Sequence, residues 1–203
     1  MKRTSVLIAP YAAWMVLMTL LPRSAWSYAL QGLVTTALLV YVFASLRKAG
    51  FRMPRVGGSG FLVGSLVGLL VLAVWIAPEP WLWPTAVQEA SPYAPQTCGW
   101  PLTLVKLAAS AFVISAAEEL FFRKWLVDFA GFGWMLVLFG VEHMRWDLGV
   151  VRGSVFIAEG VFAGLCYGLL AKRFGIVSAI VAHAVTNLLL GVYVIACDKW
   201  FYW

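Results

Sequence analysis

The chain has 203 residues, of which 63% are hydrophobic and only 12% charged, with a net charge of +6. Soluble domains run at about 45–50% apolar and about 25% charged residues. A chain of this length cannot hide such an excess beneath its own surface, so the composition excludes a water-soluble fold and makes lipid the main solvent.

A helix that crosses a bilayer needs about 20 mainly apolar residues. The first candidate is Ser5–Leu21. It follows Met1-Lys2-Arg3 as a signal peptide would, but it continues without a small-residue cleavage site and reads as a span. Tyr28–Leu46 and Gly60–Ala77 come next. The connection Pro78–Pro101 contains PEPWLWP, where proline prevents a continuous helix and the Trp rings favour the membrane interface. Leu102–Phe122 follows, and then Phe132–Met144, which is short and is expected to continue through Asp147-Leu148 as a partly buried helix. Ser154–Ala171 and Ile176–Ala196 complete the series, and the terminal KWFYW reads as an aromatic belt. The expectation is an all-α, polytopic transmembrane bundle of about seven helices, with 1–203 forming a single integral membrane domain.

The cations cluster between the apolar runs, as Lys2-Arg3, Arg47-Lys48-Arg52-Arg55, Arg123-Lys124 and Lys172-Arg173. No basic helix face or RNA-binding motif accompanies them, so they read as topological anchors and not as a nucleic-acid surface. Their alternation predicts a cytoplasmic N-terminus and an outer C-terminus; the loop with Arg145 and Arg152 fits this tally less well. The three cysteines, Cys98, Cys166 and Cys197, form no CxxC pair and no zinc spacing. Cys166 is expected as a small buried residue. Cys98 and Cys197 are expected on the outer side as reduced thiols, the alternative being a bond that ties the loop to the last helix. A GxSxG elbow, a nucleophilic cysteine motif, a P-loop and a Rossmann fingerprint are all missing from the sequence.

Ionisable groups are costly inside a bilayer, so each one in a span asks for a reason. The fourth segment ends in AAEELFFRKW, the fifth holds FGVEHMRW and the seventh IVAHAVTN; the chain's two histidines, His143 and His183, both lie in spans. Residues four apart share a helix face, so His183 and Asn187 point into one space. Adjacent Glu118 and Glu119 diverge by about 100°. Arg123, four residues beyond Glu119, can pair with it, which leaves Glu118 as the freer carboxylate. At 1.5 Å per residue, Glu118 lies roughly 8–10 Å from the Arg123-Lys124 boundary and His183 roughly 15 Å from Arg173. His143 lies at a comparable depth, and the expectation is a cavity that admits water and a peptide carbonyl.

In order and approximate spacing, EELFFR, FGVEH and HAVTN resemble the EExxxR, FxxxH and HxxxN motifs of the CAAX prenyl protease and bacteriocin-processing (Abi) family. The likeness covers about Leu102–Gly191, and Lys124 departs from it where many relatives carry glycine. The resemblance implies a glutamate-dependent intramembrane endopeptidase with no covalent intermediate and no cofactor. Glu118 would activate a water that His143 positions, His183 and Asn187 would stabilise the oxyanion, and Glu119, Arg123 and Phe139 would support them. It also implies a membrane-associated protein or peptide as substrate. The small size and the absence of organelle signals point to a prokaryotic inner membrane as the expected setting.

Plainer readings stand beside this one. Glu118 and Glu119 can end a helix through ion pairs, and His183 and Asn187 can serve as interhelical hydrogen-bonding glue. Glu118, His143 and His183 also have the donor chemistry of a catalytic zinc site. Glu159 falls outside the motifs and is expected to pair with Arg152, the alternative being that it lines the cavity, while Glu142 is expected to point away from His143. As functions, a non-catalytic membrane partner or immunity protein is the alternative to the protease; a transporter would need broken helices in matching halves, which the sequence does not display.

Overall fold

The computed structural model describes residues 5–50, 56–82 and 91–203. Lys2-Arg3, the Arg52 and Arg55 members of the second basic cluster and the middle of the Pro78–Pro101 connection lie outside the described residues. No strand occurs among the described residues. The architecture is carried by α1 (Ala9–Leu20), α2 (Ala25–Lys48), α3 (Gly58–Ile76), α4 (Trp100–Ala130), α5 (Phe132–Glu142), α6 (Gly149–Phe174) and α7 (Ile176–Cys197). All seven expected segments are helical. The helices of α2, α3, α4, α6 and α7 are long and apolar enough to cross a membrane, whereas Val6–Leu20 and Phe132–Glu142 are shorter.

The helix surfaces are those of an integral, multi-pass membrane protein. Leu33 is 68% exposed, Leu62 60% and Val151 83%. In water such apolar cover would drive aggregation, but in lipid it is the favourable surface.

The described residues form two compact units. The first contains those of Met1–Met53, Val87–Phe121 and Asn187–Trp203. Here the Ser24 hydroxyl caps α2 by accepting from the Ser27 N–H at 3.1 Å, and Arg47 and Lys48 in the last turn complement the helix dipole. The Trp14 and Tyr28 rings meet edge to face, 4.9 Å between centroids. Lys106 is buried in α4 with its ammonium 3.7 Å from the centre of the Tyr28 ring, 4.9 Å from Tyr93 and 5.0 Å from Trp203. Three aromatic faces thus surround a cation that lipid would reject. In the loop, burial raises the Tyr93 phenol above its ordinary value, and the nearby Arg23 cation opposes that shift. All three cysteines are free thiols. Cys98 lies 3.5 Å from the Thr103 hydroxyl, and Cys166, expected to be enclosed, is only half-buried.

The second unit contains the described residues of Pro54–Ala86 and Phe122–Thr186. Glycines set its helix spacing. A Cβ on Gly64 of α3 would stand 2.7 Å from the Ser178 carbonyl oxygen of α7, and one on Gly68 would stand 2.5 Å from that of Ala182. Small residues at this four-residue interval let the two backbones touch. α5 and α6 pack in the same way, a Cβ on Gly160 meeting the Gly140 Cα at 3.0 Å.

α5 does not continue through Asp147-Leu148 as expected. It stops at Glu142, and Trp146–Leu148 form a separate 3₁₀ turn that leads into α6. Two contacts account for the reversal. Gly153 leaves room for the Arg145 carbonyl against α6, and the Arg145 guanidinium binds the Asp147 carboxylate through two bonds of 2.8 and 2.6 Å. That pair is bidentate and charge-assisted. With 11 residues rising 1.5 Å each, α5 covers about 16 Å, roughly half of a 30 Å hydrocarbon core.

Candidate active site

In the first unit the sequence-predicted residues are Glu118, Glu119 and Asn187. The helix that carries the carboxylates is not uniformly α, as the sequence suggested. Wider i→i+5 winding over Ala109–Ile114 and again over Leu120–Leu126 brackets a short α-helical stretch, Ser115–Glu119. Such insertions are rare and concentrate at functional sites, because they re-aim the side chains that follow them.

Side chains from within the unit fill the widened turn. The Ser115 hydroxyl donates to the Ser110 carbonyl five residues back at 3.4 Å. Asn187 donates from Nδ2 to that same carbonyl and to the Ser115 Oγ, each at 3.2 Å. Both hydrogens of its amide nitrogen are therefore engaged. The Tyr28 hydroxyl and the Ser110 Oγ lie 2.7 Å apart and extend this network to α2. Ser115 and Glu119, four apart on the α-helical stretch and both at 0% exposure, share its inward face, while Glu118 is half-buried. Glu119 is thus the more enclosed of the two carboxylates. Ser110, Ser115 and Tyr28 were not anticipated, since isolated hydroxyl residues in a span carry no motif.

In the second unit Arg123, His143 and His183 gather around Phe139. Phe139 is 1% exposed, and the guanidinium of Arg123 lies 4.0 Å from its ring centre. The His143 ring is tilted against Phe139 at 4.8 Å, and the His183 ring meets it edge-on at 6.1 Å. The Phe139 carbonyl lies 2.6 Å from His143 Nδ1. A carbonyl can only accept, so Nδ1 carries the proton, and in the neutral form of the ring the lone pair lies at Nε2. The backbone carbonyl at Phe139 thus sets the tautomer of the histidine one turn on, while the Phe139 ring packs against the imidazole. Trp75 of α3 packs edge-on to His143 at 5.3 Å.

His183 is 5% exposed and stacks on Tyr167 of α6, 5.0 Å between centroids and 20° from parallel. The Tyr167 hydroxyl donates to Thr186 Oγ1 at 2.7 Å, and Thr186 Oγ1 lies 2.9 Å from the Gly68 carbonyl oxygen. A chain of hydroxyls thus fastens the support of His183 to α3. Tyr167 escaped the sequence reading, although a tyrosine among the small residues of GLCYGLLA is an expense in lipid that asks for a partner. His183 and Asn187 both lie on α7, which is α-helical throughout Ile176–Cys197.

Two expectations need correction. Glu142 does not point away from His143: its Oε1 is 3.9 Å from Nδ1, because the helix ends between them and His143 turns back. Glu159 is 5% exposed, and both its carboxylate oxygens lack a hydrogen-bond partner among the described residues. No described ion pair joins it to Arg152, which is exposed about two turns, roughly 10 Å, away.

Comparison with known families bears on the segment that carries these groups. Residues 100–189 match the Rce1-like family, described as type II CAAX prenyl endopeptidase Rce1-like. That Rce1-like segment, just under half of the chain, contains every candidate residue named above and recovers the likeness read from the three motifs. Neither curated proteins nor solved structures return a match.

Proposed function

We propose that this protein is an intramembrane endopeptidase that hydrolyses a peptide bond with a glutamate-activated water. The match of the Rce1-like family to residues 100–189, which hold the three motifs in order, carries this reading. Glu118 takes a proton from the water as the oxygen attacks the scissile carbonyl, and returns it to the departing amine. Nε2 of His143 accepts a hydrogen bond from the same water, a role its Nδ1–H tautomer supports. His183 donates to the oxyanion, since a fixed donor aimed at developing charge is worth several kcal/mol. Asn187, its amide hydrogens already taken by Ser110 and Ser115, braces the turn that carries the carboxylates. Glu119 and Arg123 orient the reacting groups. The substrate is a membrane-anchored protein or peptide, and the setting a prokaryotic inner membrane with the N-terminus cytoplasmic.

The test reconstitutes the full chain in vesicles with two probes, a farnesylated peptide ending in a CAAX sequence and a membrane protein with a C-terminal helical tail. Mass spectrometry then reads new peptide ends. Cleavage of either probe is expected, falling by about 10²–10⁴-fold in Glu118→Gln, the span typical of a positioned acid–base group. Wild-type turnover by a folded, inserted Glu118→Gln protein refutes the mechanism.

A further inference from the structure

A cavity of about 220 Å³ opens in the second unit, lined by Arg123, Lys124, Val127, Phe132, Gly168, Ala171, Lys172 and Ile176. Its chemistry is divided. Three of the lining groups are cations, none is a carboxylate, and the remaining wall is apolar. Arg123 forms a buried part of the wall at 6% exposure, whereas Lys124 and Lys172 are exposed. Neither lysine has an ion pair among the described residues, and Lys172 instead holds its ammonium 3.7 Å over the Phe132 ring. An aromatic face is a weaker partner for an ammonium than an anion would be.

Position identifies the complement. Lys172 lies in the last turn of α6, Ile176 opens α7, and Lys124 lies within the last two turns of α4, which runs on to Ala130. Cations this close to helix ends stand at the level of lipid headgroups. Basic pockets between helices at that level suit a phosphate diester with acyl chains that leave along apolar walls. The volume is below the roughly 300–1,000 Å³ of common small-molecule sites, which matches a headgroup better than a folded-in peptide.

We infer that this cavity is a binding site for the headgroup of an anionic phospholipid, with Lys124 and Lys172 on its phosphate and the Phe132, Val127 and Ile176 side chains against its glycerol and upper acyl chain. The inference is independent of peptidase activity.

The experiment measures binding of short-chain phosphatidylglycerol to the purified full-length protein in neutral detergent, with phosphatidylcholine as the uncharged reference. Saturable binding of one phosphatidylglycerol per chain is expected. It should weaken about 30-fold in Lys124→Gln/Lys172→Gln, the product of two cations each worth about one kcal/mol near a membrane surface. Ala171→Leu, which keeps every charge but fills the cavity, should weaken it too, separating a shaped site from general attraction. Thermal melting in phosphatidylcholine checks that both variants fold. Equal binding of the two lipids, or unchanged binding by both folded variants, overturns the inference. So does displacement by inorganic phosphate at the same concentration as the lipid, or tighter binding of a peptide with a free C-terminal carboxylate.

Discussion

Gly160 of α6 is where packing and chemistry meet most closely. A Cβ at this position would stand 3.1 Å from His143 Nδ1, 3.2 Å from its Cγ and 3.0 Å from the Gly140 Cα, against an ordinary contact of 3.4 Å or more. In Gly160→Ala the imidazole must therefore yield by about 0.3 Å, or α5 and α6 must part by a similar amount. Overpacking of this kind costs about 1–3 kcal/mol. Alanine in a helix interior recovers about 0.5–1 kcal/mol of that by stiffening the unfolded backbone. The net stability loss is thus about 0–2.5 kcal/mol, small enough for the variant to fold. The displaced ring lengthens the Nδ1–H bond to the Phe139 carbonyl and moves Nε2. A displacement of about 1 Å can cost 10²-fold in rate, so this one of about 0.3 Å should cost about 4-fold in kcat. The control is Gly133→Ala in α5, where a Cβ meets nothing within 4 Å and turnover should hold. Thermal melting in detergent reads the first quantity and the vesicle cleavage assay the second. Wild-type turnover by Gly160→Ala would refute the role assigned to the His143 position.

Tyr167→Phe removes the bond to Thr186 but keeps the ring under His183, so about 1 kcal/mol of stability and little activity should be lost; Tyr167→Leu should lower kcat as well, and equal turnover for the two variants would show that the stack does not matter. Purified protein should contain no stoichiometric zinc and should keep its activity through prolonged chelation, which elemental analysis and the cleavage assay decide together. Mass mapping of thiol-blocked, unreduced protein should find Cys98 and Cys197 both free, and a cross-linked peptide would contradict the free thiols of the structure.

Composition and period reached far into the fold. Each apolar run between Ser5 and Ala196 became a helix because lipid leaves the backbone no other way to satisfy its own N–H and C=O groups. The end of α5 was not legible, since Gly153 and the Arg145–Asp147 pair act across a turn and leave no periodic trace. Nor was the wide winding around Glu118 and Glu119. A five-residue turn is chosen by what inserts into it, here Asn187 from far along the chain, and helix propensity is blind to that partner. Histidines in spans announced themselves by their cost, as did Glu118 and Glu119. Their supports Phe139, Tyr167 and Thr186 did so less clearly, for a carbonyl that fixes a tautomer belongs to no residue type, and FxxxH pointed to Phe139 only through family likeness.

The near contact of α3 and α7 bears on how the protein meets bilayers of different thickness. Lipid-facing helices accommodate a mismatch by tilting or sliding against their neighbours, at fractions of a kcal/mol per ångström. At Gly64 and Gly68 no side chain is present to roll over, and the Ser178 and Ala182 carbonyl oxygens stand only 2.7 and 2.5 Å from where a Cβ would be. Axial sliding there would drive the flanking Cβ atoms into that backbone, so the two helices tilt together. His183 follows Ala182 directly, and its depth is then measured from α3 rather than from the lipid surface. A change in acyl-chain length should alter the tilt of this pair while leaving His183 and Tyr167 in register with one another.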